Sequence, residues 1–277
     1  PLPTWSRVSD GQVKVVTYSG GTVGDEPSMI RKMKLGQLQA AGLTVRGLNQ
    51  LYNATLALAL PMLARNDAEL DFLMAEMRPE LEAGIERAGY KVMFWTVLGW
   101  VYFYGKQPIV TPEDLSKQKL WVWEGDPDEA SVWKDLGFRI SPLQSTDILQ
   151  ALQSGMVDAF ASSPLTAAAY QWFALAPNMS DMKWAPLFAG LVVSTKAWSQ
   201  IPRELQPQLM EIARRIGDEL RAETVRADAD AIRVMTQYGL KVHPVPPASV
   251  EQWAALMDAG FAKLAGKSFD AAAADKA

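Results

Sequence analysis

The sequence predicts an α/β fold, with helices layered on a largely parallel sheet, in a chain of 277 residues. Three observations carry this. Short β-branched or aromatic runs alternate with amphipathic stretches whose apolar residues recur three or four apart. The connections are short, as strand–crossover–strand units require. Two helix starts repeat one chemistry, in which a capping residue is followed by proline and then by acids facing the positive helix end. They are Thr111-Pro112-Glu113-Asp114 and Asp126-Pro127-Asp128-Glu129.

In chain order, residues 12–18 alternate and are valine-rich, which predicts a strand broken by Ser19-Gly20-Gly21. Residues 26–35 predict a helix, with Met29, Ile30 and Met33 at helical spacing. Residues 40–45 read as a short buried strand. Residues 67–88 form an amphipathic helix, interrupted by Pro79 and ended by Gly89. Residues 91–95 and 100–104 predict two aromatic strands. After the Thr111 helix come a strand at 119–123, the Asp126 helix and a strand at 139–143. A helix at 145–154, stopped by Gly155, leads to a strand at 157–161 and a helix at 164–175. A further strand is expected at 187–194.

Residues 203–238 are the longest helical stretch, with Leu205, Leu209, Ile212, Ile216 and Leu220 on one stripe. At ~1.5 Å per residue its ~36 residues reach roughly 54 Å, enough to brace two domains. A strand at 240–245 and an amphipathic helix at 249–264 complete the pattern, and the tail after Phe269 is expected to fray. No internal repeat or low-complexity linker is present, so two domains joined by strands fit better than a flexible tether.

Composition removes most catalytic chemistry. The chain has no cysteine and one histidine, His243. Cysteine nucleophiles, disulfides and cysteine-held metals are excluded, and a histidine-based triad or metal site is improbable. Acids number 31 against 27 bases, giving −4, which provides no long-range attraction to nucleic acid or anionic lipid. The longest uncharged apolar stretch, residues 93–105, is too short to span a bilayer. Pro1 in place of a methionine reads as a processed or trimmed start, and no signal peptide is visible. Ten tryptophans and twelve methionines suit either a core or an apolar pocket.

Motif tests agree. Gly260 to Ser268 ends in Gly-Lys-Ser, but five residues separate Gly260 from Gly266 where a phosphate loop has four. Gly20-Gly21-Thr22-Val23-Gly24 has the wrong glycine spacing for a dinucleotide site, and no Gly-x-Ser-x-Gly elbow occurs. The acids Glu124, Asp126, Asp128 and Glu129 lack a calcium-loop pattern and read as a helix cap. His243 reads as structural. An enzyme is therefore the weaker reading, and no catalytic residue, metal or cofactor is expected.

Several strings resemble the solute-binding proteins of tripartite ATP-independent periplasmic (TRAP) transporters, the DctP-like family. Val15-Val16-Thr17-Tyr18-Ser19-Gly20-Gly21-Thr22-Val23-Gly24-Asp25-Glu26 is similar to that family's first strand exit. Met33-Lys34-Leu35-Gly36-Gln37-Leu38-Gln39-Ala40 matches a helix end, and Pro108-Ile109-Val110-Thr111-Pro112-Glu113-Asp114-Leu115 a crossover start. Leu149-Gln150-Ala151-Leu152-Gln153-Ser154-Gly155-Met156-Val157-Asp158-Ala159 is the most specific match, and the long helix from Arg203 has its counterpart. The family begins one strand and one helix before Trp5, which leaves one sheet position unaccounted for.

The resemblance implies a two-lobed periplasmic binding fold with an interdomain ligand cleft and a long bracing helix. Lobe I is expected at 1–104 and 190–225, and lobe II at 105–189 and 226–277. Strand hinges fall near 100–106 and 187–194, and helix 203–238 spans both lobes. The family's carboxylate-binding arginine falls in the string Lys119-Leu120-Trp121-Val122-Trp123, at Trp121. A second basic position aligns with Val101, and a Glu-Asn or Glu-Trp pair is replaced by Ala161 and Ser162.

A wall of Trp121, Trp123, Val101, Tyr102, Phe160 and Ser162 lacks a fixed positive charge, so a carboxylate buried there goes unpaired at a cost of several kcal/mol. Apolar surface buried there gains roughly 25 cal/mol per Å². Ser145 and Arg139 complete the candidate set, and Asp158 is expected to support its strand end. The expected function is a periplasmic solute-binding protein that captures a bulky apolar or weakly charged ligand (lipid-like, sterol-like or aromatic). It delivers that ligand to a membrane transporter or accessory protein, as a monomer and without nucleic acid. The alternatives are a TRAP-type receptor for a small organic acid, its charge met by Arg46 or Arg139, and a carboxylate-based enzyme.

Overall fold

The computed structural model describes residues 3–18, 22–124 and 127–264. The Ser19-Gly20-Gly21 break, Asp126, the Gly-Lys-Ser string and the tail after Phe269 lie outside the described residues.

The elements in order are α1 (Pro3–Val8), α2 (Glu26–Lys34), β1 (Ala40–Thr44), α3 (Val45–Asn49), α4 (Asp67–Arg87) and β2 (Tyr90–Gly105). Then follow α5 (Pro112–Ser116), β3 (Leu120–Trp123), α6 (Pro127–Asp135), β4 (Ile140–Leu143), α7 (Ile148–Ser154), β5 (Ala159–Ser162) and α8 (Pro164–Ala169). The chain ends with β6 (Asn178–Asp181), β7 (Ala185–Ser194), α9 (Thr195–Ser199), α10 (Gln206–Gln237), β8 (Lys241–Pro244) and α11 (Pro247–Leu264). Short 3-10 turns sit at Asn53–Ala59, Ser145–Asp147 and Trp172–Ala174.

Two compact units share the chain. Unit 1 holds Pro1–Leu58, Leu73–Leu98 and Phe188–Thr224, and unit 2 holds Ala59–Phe72, Gly99–Leu187 and Val225–Ala277. The chain passes from one to the other at the end of the 3-10 turn Asn53–Ala59 and inside α4, β2, β7 and α10.

In unit 1, β1 runs antiparallel to β7, with Leu43 opposite Gly190. Met93, Val193, Trp198, Leu209 and Ala213 form a core cluster there. The first half of α10 lies close against β2, because a β-carbon at Gly217 would stand 2.8 Å from the Phe94 ring. The Thr96 hydroxyl donates to the Gly217 carbonyl at 3.0 Å. Glu26 of α2 accepts from the Thr44 backbone N–H at 2.9 Å and from the Thr44 hydroxyl at 3.1 Å, fixing the start of α3.

Unit 2 carries the strand order β4-β3-β5-β2-β6-β8. The β3–β4, β3–β5 and β6–β8 pairs are parallel, whereas β2 is antiparallel to both β5 and β6. Five strands therefore point one way and β2 alone opposes them. Pleating sends successive side chains to opposite faces and divides the core in two. Phe103, Leu120 and Val122 pack on one face with Trp133, Trp184 and Trp253. Tyr104 and Phe160 pack on the other with Ile148, Leu152, Trp172, Ala231 and Met235. Phe103 lies 4.7 Å from Trp184 and 5.3 Å from Trp253 between ring centroids, and Tyr104 stacks on Phe160 at 4.9 Å. Trp95, Trp100, Trp133, Trp172, Trp184, Trp198 and Trp253 are buried, so most of the tryptophan excess fills core.

Several boundaries differ from the sequence expectation. Residues 12–18 form no strand, and Val16 and Tyr18 are exposed. Alternation describes a fit to a pleated surface, and among the described residues no neighbouring strand takes up these backbone groups. The two aromatic strands are one strand, β2, of 16 residues, turned in its interior by Gly99 at φ +89. Helix α4 runs through Pro79 unbroken. Pro79 and Ala75 are both exposed, so the carbonyl that loses its donor sits on the solvent side. The helix expected at 164–175 stops at Ala169, where Gln171 takes φ +57. Strand β6 has no counterpart among the elements expected from the sequence. Its polar groups are satisfied inside, with the Asn178 amide donating to the Gly105 and Lys106 carbonyls at 3.2 and 2.9 Å.

The expected helix start at Thr111 is present as a full capping box. Asp114 N–H donates to the Thr111 hydroxyl at 3.3 Å, and Thr111 N–H donates to Asp114 Oδ2 at 2.9 Å. Thr111→Val removes one half of it and is expected to lower stability by about 1 kcal/mol in urea unfolding. Gly99→Ala is expected to cost more, about 2–3 kcal/mol, because it forces a β-carbon onto both a positive φ and the Asp228 carboxylate. Equal unfolding midpoints for Gly99→Ala and the parent would refute that reading of β2.

Candidate functional site

In open α/β sheets, ligands bind beyond the carboxyl ends of the parallel strands, where loops diverge to the helices. In unit 2 that rim is formed by Trp123 at the end of β3, the Ser145–Asp147 turn after β4, Ser162 at the end of β5 with Ser163 after it, and Asp181 at the end of β6. Because β2 runs the other way, its stretch from Gly99 to Tyr102 reaches the same rim. Ser163 builds the β5–α8 junction by capping α8. Its oxygen accepts from Thr166 N–H at 3.4 Å, and its hydroxyl donates to Thr166 Oγ1 at 2.9 Å.

The register brings together part of the predicted set. Tyr102 pairs directly with Ser162. Tyr102, Trp121 and Phe160 share the face of the Tyr104 cluster, and strand parity adds Ser162 and Trp123. Trp121 and Trp123 are half-buried. Trp121 packs against the core layer with its indole N–H donating to the Leu143 carbonyl at 3.0 Å. Phe160 is fully buried between Tyr104 and Trp172 and forms the layer beneath the rim.

Two predicted residues, Val101 and Arg139, lie apart from these. Val101 packs with Ala161 on the opposite face, since neighbours along a strand cannot share one. Ser145 is exposed in its turn on the same rim. Arg139 precedes β4, at the amino end of the strands. Its guanidinium donates to the Ser116 carbonyl at 3.3 Å and also to the Lys117 carbonyl. Asp158 sits at that end too, accepting from Lys119 N–H at 3.2 Å with Lys106 at 3.4 Å and Lys119 Nζ at 3.9 Å. His243, on β8, places Nε2 2.9 Å from Asn178 Oδ1. Because the Asn178 amide nitrogen already donates, Nε2 is the donor in this bond. Arg46, on α3, belongs to unit 1.

The charge at the carboxyl-end rim is chiefly negative. Lys183 is held by Asp67 at 2.8 Å and lies 4.8 Å above the Trp100 ring. Trp100 Nε1–H donates to the same aspartate at 3.0 Å. Asp228, on α10, is buried, and its Oδ1 accepts from Leu165 N–H of α8 at 3.0 Å. Oδ2 lies against Gly99, which has no β-carbon to obstruct it. Burial pushes the Asp228 carboxyl above its ordinary value, opposed by the Leu165 N–H. Burial first, then the fields of Asp181, Asp228 and Asp67, pushes the Tyr102 phenol up strongly. Tyr104 is raised likewise, by burial first and then by Tyr102 and Asp228. Its buried hydroxyl has no hydrogen-bond partner among the described residues.

Asp228 escapes sequence reading, although a signal exists. Residues 224, 228, 231 and 235 continue the buried stripe of α10 into its second half, and a carboxylate interrupts it. Among the described residues no three acids or histidines group as a metal site, and no helix is long and apolar enough to cross a membrane.

Comparison with known proteins places this geometry in context. The family model for bacterial extracellular solute-binding protein, family 7 (DctP), matches residues 3–267. A solute-binding protein of Sulfitobacter sp. (strain NAS-14.1) is 25% identical over 167 residues, 60% of this chain and 49% of that protein. The alignment thus spans about half of that relative's length. The TRAP periplasmic solute binding protein from Sulfitobacter sp. NAS-14.1, solved with β-D-galacturonate, superposes with TM-score 0.86 at 20% identity, covering 99% of this chain and 91% of that one. The one from Chromohalobacter salexigens, solved with D-glucuronate, gives 0.86 at 18% identity, covering 100% and 93%. At these identities the likeness is one of fold.

Asp228 makes a testable demand on stability. The folded chain holds this proton more tightly than the unfolded chain does. The ionised group therefore costs stability above the folded pKa, and the cost disappears as pH falls below the ordinary 3.8. Asp228→Asn is expected to match or exceed the parent in stability at neutral pH, with the gap closing as pH falls. Urea unfolding across that pH range checks it, and a variant clearly weaker at neutral pH would show that the charge itself holds α8.

Proposed function

The chain belongs to family 7 of the bacterial extracellular solute-binding proteins, and from that premise we propose that it is a periplasmic receptor for a small organic solute, which it hands to a membrane transporter. The ligand sits at the carboxyl-end rim of unit 2, on the face shared by Tyr102, Trp121, Trp123 and Ser162. Binding shifts the population between two forms of the protein, with no covalent chemistry. One observation carries this reading. The place that resembles the family's arginine is held by Trp121, whose N–H is already used on Leu143. An indole ring there offers a flat apolar face and no fixed charge.

That face suits a compact, weakly charged solute with an apolar side, either aromatic or ring-shaped. A lipid or sterol cargo gains no support. The two solved relatives hold single-ring sugar acids, and Trp121 spends much of its surface on the core. Those same ligands favour a second reading, in which the solute is a small organic acid. Its carboxylate then needs a cation from outside this rim, since Arg139 is committed to backbone carbonyls at the other strand ends. The enzyme reading gains nothing, because the family's members are binding proteins.

Calorimetric titration with D-glucuronate, D-galacturonate, succinate, D-glucose and a neutral aromatic separates the two. Trp121→Ala is expected to weaken the bound solute at least about tenfold, or roughly 1.4 kcal/mol. Trp121→Phe, which keeps a ring but loses the N–H, is expected to fall between. Unchanged affinity in both variants would remove Trp121 from the site.

A further inference from the structure

We propose that the carboxylate of Asp228 and the ring of Tyr102 form a subsite for a positively charged nitrogen of the ligand. This rests on the rim being the binding place, and it names chemistry the solved relatives' acidic ligands do not share. The first argument is position. Leu165 N–H and the missing side chain of Gly99 fix the Asp228 carboxylate beside the β2 stretch that reaches the rim. Only one of its oxygens has a hydrogen bond, and among the described residues no lysine or arginine pairs with it. A buried carboxylate without a counter-ion attracts a cation strongly, because little water screens it.

The second argument is the surrounding field. Asp181 and Asp67, as well as Asp228, act on Tyr102, and the nearby Lys183 is neutralised by Asp67. A ligand carboxylate entering here would meet like charge, whereas an ammonium would meet opposite charge. The third argument is that the chain already holds a cation this way. Lys183 sits over the Trp100 ring with Asp67 beside it, an aromatic face and a carboxylate on one ammonium. Asp228, against Gly99, and Tyr102, three residues further along β2, supply the same two kinds of group. Asparagine would accept from Leu165 equally well, so what the aspartate adds is its charge.

The test uses the full chain with choline and putrescine as cation probes, beside D-glucuronate and succinate. Saturable binding of at least one cation is expected, weakened tenfold or more by Asp228→Asn while the thermal midpoint stays level or rises. Tyr102→Leu provides an independent variant and is expected to weaken the same cation several-fold. If a cation binds but neither variant changes its affinity, or if no cation binds while an acid does, the subsite is refuted and the receptor reading stands. If no member of the panel binds, both fall.

Discussion

A pleated strand cannot send two neighbouring side chains to the same face, and in β2 that constraint organises everything in unit 2. From Val101 to Tyr104 the side chains divide alternately between two hydrophobic layers. Phe103 anchors one layer against three tryptophans, and Tyr104 anchors the other by stacking on Phe160. Because β2 opposes its neighbours, its first residues in this unit reach the rim where the parallel strands end. The same strand thus supplies the middle of the core and one wall of the candidate site.

Glycine lets this strand do both. Gly99 turns β2 in its interior at a φ that other residues rarely adopt, and its missing side chain leaves room for Asp228. The carboxylate in turn ties α10 to the first turn of α8. A backbone position that favours glycine, a buried charge and a helix start are therefore one linked arrangement. The buried charge is the part of it that costs stability.

The electrostatics of unit 2 run along the strand direction. Lys106, Lys119 and Arg139 gather at the amino ends and are spent on Asp158 and on backbone carbonyls. The carboxyl ends carry Asp181, Asp228 and Asp67 with Lys183 as a neutralised exception. Fold likeness to receptors that hold sugar acids is compatible with this distribution only if the ligand's charge is met differently. A binding fold can keep its architecture while the few side chains that read the ligand change.

Much of the architecture was legible in the sequence because it rests on local chemistry. The capping box at Thr111, the left-handed Gly155 after α7 and the buried Leu209 and Ile212 of α10 are written in consecutive residues, although Leu220 of the expected stripe is exposed. So was the cofacial placement of Trp121 and Trp123, which follows from a spacing of two. The tertiary structure decided what depends on partners distant in the chain. It joined two expected strands into β2, left residues 12–18 outside any strand and buried the polar Asn178 and Ser180 in a strand. It also moved Val101 away from Tyr102, turned Arg139 toward carbonyls at the far strand ends and brought Asp228 to Gly99. Spacing reports which face a side chain takes, but which neighbour waits there is settled only when remote segments pack.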